Sequence, residues 1–74
     1  MRAGSEAGTG LRGVVATFDV DRGLGTIMGE DGIERIFHCT QIADGSRTIE
    51  VGMVVAFGVL AKLGRFEATA IAPR

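Results

Sequence analysis

Tryptophan and tyrosine are absent from this 74-residue chain, and phenylalanine occurs four times. A surface built to stack flat rings therefore has few rings to use. The single cysteine excludes a disulfide within the chain. That cysteine and the single histidine leave a zinc site short of ligands. No apolar run approaches the ~18 residues needed to span a bilayer. MRAGSEAGTG, at 1–10, has no apolar stretch of the kind that directs secretion. A cytoplasmic location is expected, with no membrane association. An excess of positive charge is missing too. Eight Lys and Arg stand against nine Asp and Glu, for a formal net charge of −1. The field of the whole molecule thus gives polyanions no general attraction.

What is present points to one small all-β domain. Apolar residues make up 46% of the chain, ample for a globular core, and the length permits one domain with a thin core. Residues 1–10 read as a flexible tail and 11–74 as the domain. From Leu11 onward, short apolar runs alternate with Gly and Asp clusters. The runs at 11–20, 24–29, 33–39, 53–61 and 65–72 are expected to form strands. Residues 40–52 form a long connection with room for one helical turn. Asp31-Gly32 is a hairpin signal, because it supplies the positive φ values of a tight turn. Pro73 ends the last strand. Helix is the competing reading of 66–72, but seven residues are marginal for a helix and follow a turn signal. The expected architecture is a closed five-stranded antiparallel Greek-key barrel, because closure removes apolar edges that would otherwise lie bare.

DRGLGTIMGEDG, at 21–32, invites a phosphate-loop reading. Its glycines are spaced G-x-G-x-x-x-G, no helix is expected to follow, and no Gly-Lys-Ser/Thr is present. Turn geometry and close backbone approach explain these glycines better. His38 and Cys39 are adjacent on a strand, so they point to opposite faces and make a poor nucleophile–base pair. The carboxylates Asp19, Asp21, Glu30 and Asp31 flank turns, where such residues are common. No catalytic residue, metal, cofactor or small-molecule substrate is expected, and an enzyme is not.

In order, the chain carries G-V-V-x-x-F, D-R-G-L-G-x-I, D-G, F-H and V-G-x-V-V-x-F, then a Gly turn. Over roughly 12–73 this resembles the bacterial cold-shock domain. The resemblance implies an OB-fold barrel that binds single-stranded RNA or DNA. It also implies a core of Val15, Ile27, Phe37, Ile42, Val55, Phe57 and Val59. The family's first binding motif, K-G-F-G-F-I, reads Arg22-Gly23-Leu24-Gly25-Thr26-Ile27 here. Its second, V-F-V-H-F, reads Arg35-Ile36-Phe37-His38-Cys39. A Trp-Phe pair becomes Thr17-Phe18, and a Phe-Lys pair falls at about Ser46-Arg47. Only Phe18 and His38 keep rings at the stacking positions.

The implied nucleic-acid-binding residues are Phe18, Arg22, Leu24, Thr26, Ile36, His38 and Arg47. Phe18, Leu24 and Ile36 are expected to share the outer face of the first three strands. Arg35, Lys62 and Arg65 read as scattered charge or as a phosphate-contacting rim. Stacking on an aromatic side chain is worth about 1–3 kcal/mol per base. Losing several rings therefore implies weak, low-specificity binding, in an RNA chaperone or a transcription-linked regulator. Aliphatic groups in place of rings also suit a protein partner or self-association. A protein-interaction module that kept the barrel and lost nucleic-acid binding is the alternative.

Overall fold

A computed structural model of the chain describes residues 10–62 and 64–74. Residues 1–9 of the expected tail lie outside the described residues. The strands are β1 (Leu11–Asp19), β2 (Leu24–Gly29), β3 (Glu34–His38), β4 (Val54–Lys62) and β5 (Arg65–Pro73). A 3-10 turn at Cys39–Gln41 opens the long connection.

Short-range hydrogen bonds fix the β1–β2 and β2–β3 turns. At the β1–β2 turn the Asp19 carboxylate accepts the backbone N–H groups of Asp21 and Arg22, at 3.0 and 3.2 Å. The Gly23 N–H donates to the Asp19 carbonyl at 2.8 Å. At the β2–β3 turn Asp31 accepts the Ile33 N–H at 3.0 Å. There Gly32, at φ +83°, occupies the left-handed region that a side chain resists.

The strands close into a barrel in the order β1-β2-β3-β5-β4. Each seam is antiparallel except β3 with β5, which runs parallel through the pair Ile36 and Glu67. The connection after β3 helps hold this seam. Ile42 bridges to Ile71, and the Ala43 N–H donates to the Ile71 carbonyl at 2.7 Å.

Val15, Ile27, Phe37, Ile42, Val55, Phe57, Ala68 and Ile71 form the core. Burying one side chain the size of Val or Phe contributes about 1.5–3 kcal/mol. That is a large share of the 5–15 kcal/mol typical of a whole domain, so the small core tolerates little loss. Val59, expected inside, is only half-buried and packs against the cluster. Ala68 and Ile71 were missing from the expected core. A shift of register in β5, where Gly58 pairs with Thr69 but Ala56 pairs with Ala72, brings Ile71 onto the same buried side as Ala68.

The residue in that shift is Ala70, whose φ is 51°. A Cβ-bearing residue in this region costs roughly 1–2 kcal/mol, and Asn tolerates it better because its short amide bonds locally. Ala70 is exposed, leaving room for the larger side chain. Ala70→Asn is therefore expected to stabilise the domain by about 0.5–1 kcal/mol. Chemical denaturation of the two proteins checks this through the midpoint at unchanged m-value.

Candidate nucleic-acid interface

A bulge in β1 decides which side chains face out. Val15 pairs with Ile27, but Thr17, not Ala16, pairs with Thr26. Strict alternation from buried Val15 would turn Phe18 outward. The extra residue reverses the phase, so Thr17 faces out and Phe18 faces in. The register continues across β3, giving the rows Thr17–Thr26–Ile36, Phe18–Gly25–Phe37 and Asp19–Leu24–His38.

Phe18 therefore does not share the outer face with Leu24 and Ile36. Its ring stacks on buried Phe37, with centroids 5.9 Å apart and planes 13° from parallel. Gly25 lies between them in the register. A Cβ there would sit 2.6 Å from Cζ of Phe37 and 2.5 Å from the Thr17 carbonyl oxygen.

Leu24, Thr26, Ile36 and His38 do share the outer face, with Thr17 and Glu34. Thr26 donates its hydroxyl to a Glu34 carboxylate oxygen at 3.0 Å. Its Oγ1 lies 2.9 Å from that of Thr17, which then acts as the donor. The centre of the face is thus a hydroxyl–hydroxyl–carboxylate chain flanked by Leu24 and Ile36. His38 is exposed at one end, its Nε2 4.0 Å from a carboxylate oxygen of Glu67. Glu67 is only 7% exposed and also lies 3.9 Å from Nε of Arg65.

The cations divide. Arg22 is exposed on the β1–β2 turn, 3.9 Å from the Asp19 carboxylate. Arg47 is exposed in the long connection, beside Ser46, whose N–H binds Asp44 at 2.8 Å. Arg35 is withdrawn from any rim. It stands two residues before Phe37 on β3, so it shares that residue's inward face and lies 5.8 Å over the Phe57 ring. Its Nη2 holds Asp31 at 2.7 Å. The Arg35 hydrogen bond, with that of the Ile33 N–H, lowers the Asp31 pKa below its ordinary 3.8.

Cys39 begins the 3-10 turn and packs partly against the core. Its N–H donates to the Gly23 carbonyl at 2.7 Å, tying the end of β3 to the β1–β2 turn. A Cβ on Gly23 would lie 2.9 Å from its Sγ.

The closed five-stranded barrel agrees with a comparison against known families. The model of the 'Cold-shock' DNA-binding domain matches residues 11–73. The chain belongs to the cold-shock domain family. It is also similar to "Cold shock protein 1" of Lactiplantibacillus plantarum. The two are 44% identical over 46 residues, which is 61% of this chain and 70% of that protein.

The OB-type barrel expected of a cold-shock domain is thus present, and the outer face just described lies on it. Two of its members escaped the sequence reading of the site. Glu34 was findable, since it stands two residues before Ile36 on one strand. Glu67 was not, because its place depends on the parallel β3–β5 seam. Among the described residues no three His, Cys, Asp or Glu side chains group as a metal would require. No described helix is long and apolar enough to cross a membrane.

The Arg35–Asp31 pair makes an acid-sensitive latch at one end of the barrel. A carboxyl whose folded pKa is lowered stabilises the fold above its unfolded pKa. That contribution is lost as pH falls through the folded value. Melting temperature is therefore expected to drop as pH is lowered from about 4 toward 2. In Asp31→Asn the drop is shallower, leaving the part due to Asp44, which is also lowered, by the Ser46 N–H. Thermal melts of both proteins across this range give the comparison.

Proposed function

We propose that this cold-shock domain binds single-stranded RNA or DNA weakly and with little sequence preference, as an RNA chaperone or a transcription-linked regulator. The observation that carries this reading is the continuous outer face of β2 and β3, where Leu24, Thr26, Ile36 and His38 stand side by side by register. The mechanism is passive. His38 offers a ring to a base, Leu24 and Ile36 offer apolar contact, and Thr26 offers a hydroxyl. Arg22 and Arg47 meet phosphates. Phe18 supports the face from inside, because one side of its ring is already stacked on Phe37.

Two features support low affinity. Aliphatic and hydroxyl groups stand where the family stacks rings, at a cost of about 1–3 kcal/mol per lost base contact. The Glu34 carboxylate also lies on the face, where it opposes an approaching phosphate backbone.

The second reading is a protein-contact module, favoured by one observation. Met28, Val14 and Val54 pair across three strands and are 42, 41 and 49% exposed, giving an aliphatic row beside the same face. A row of this kind suits a protein surface better than a base.

Titration of a fluorescent single-stranded oligonucleotide at low salt separates the readings. A Kd of roughly 10–100 μM is expected for the native chain. Restoring one ring with Thr26→Phe should tighten it about fivefold or more. Absence of binding by both proteins at high micromolar concentration, with the barrel intact by circular dichroism, supports the protein-contact module instead.

A further inference from the structure

The β3–β5 seam is the least closed part of the barrel. These strands share one register pair, Ile36 with Glu67. Toward the start of both strands a groove of about 770 Å³ opens between them. Ile33, Glu34 and Ile36 line it from the β3 side, and Arg65 and Phe66 from the β5 side. Phe66 and Ile33 are 63 and 53% exposed, among the more exposed large apolar side chains described. Neither helps the nucleic-acid reading, which uses Leu24, Thr26, Ile36 and His38.

The arrangement of charge and apolar groups says what would fit this groove. One wall carries the exposed carboxylate of Glu34, the aliphatic Ile33, and Arg35, whose guanidinium is already held by Asp31. The other carries the guanidinium of Arg65 and the ring of Phe66. A second copy turned by a two-fold axis through the middle of the groove would set its Arg65 against Glu34 and its Phe66 against Ile33, each pair occurring twice. Such self-complementarity is what a symmetric dimer interface requires. A nucleic acid, bearing only negative charge, would satisfy Arg65 and be opposed by Glu34. Exposed aromatic rings at the centre of such a patch are the usual anchors of protein contacts.

We propose that the groove at the β3–β5 seam is a docking surface for a second copy of this chain. Two molecules associate there about a two-fold axis, each placing Phe66 on the partner's β3 wall, with reciprocal Glu34–Arg65 pairs. Because Thr26 and Ile36 also line the groove, association covers part of the nucleic-acid face. The proposal does not depend on nucleic-acid binding and is tested without nucleic acid.

Sedimentation velocity over micromolar to millimolar protein reads the association directly. The native chain is expected to shift from monomer to dimer with concentration, and less so at high salt. Glu34→Lys and Arg65→Glu each place like charges in both pairs. Each variant alone should weaken the dimer about tenfold or more. Mixed, the two variants regain both opposite-charge pairs in one heterodimer, and association should return to near the native level. Phe66→Ser, at a largely exposed side chain, should abolish the dimer while leaving the circular dichroism of the barrel unchanged. A native chain that stays monomeric to millimolar concentration overturns the proposal. So does a mixture that associates no better than its components, or a folded Phe66→Ser that dimerises like the native chain.

Discussion

Gly25 has no side chain, and the outward surface depends on the space this leaves. Phe18 on β1 and Phe37 on β3 flank it in register, and their rings stack inside the barrel. Any Cβ at Gly25 would collide with the Phe37 ring and the Thr17 carbonyl. The stack can form only because the bulge around Ala16 turns Phe18 inward. The same bulge turns Thr17 outward, where it joins Thr26 and Glu34. Core packing and the chemistry of the outer face are therefore set by one irregularity in one strand.

That coupling lets the outward side chains differ while the barrel is kept. Leu24, Thr26 and Ile36 stand outward, while Phe18, Gly25 and Phe37 form the inner row. The retained charges follow the same division. Arg35 faces inward and stabilises one end of the barrel through Asp31 and Phe57, while Arg22 stays exposed. A net charge of −1 then leaves only local cations to meet a phosphate backbone, which supports weak binding.

Much of the fold was legible in the sequence because its signals are local. Asp31-Gly32 and the β-branched runs mark turns and strands within a few residues, and β2 falls at the expected 24–29. Six of the seven expected core residues are buried. What escaped was phase and long-range pairing. Alternation cannot register a bulge, so Phe18 was expected on the wrong face. The shift at Ala70 likewise hid Ile71 from the core. The parallel β3–β5 seam joins residues some thirty positions apart, Ile36 and Glu67. It creates both the buried carboxylate beside His38 and the open groove. Glu34, by contrast, was within reach of simple alternation from Ile36.

The central claim is that the outer face of β2 and β3, with Phe18 behind it, is the surface that meets nucleic acid. Amide chemical-shift mapping by NMR during addition of a single-stranded oligonucleotide at low salt tests it most directly. The account predicts the largest, saturable shifts at Leu24, Thr26, Ile36 and His38, with smaller shifts at Arg22 and Arg47. Shifts centred instead on Val14, Met28 and Val54, with β2–β3 residues 24, 36 and 38 unmoved, would contradict it.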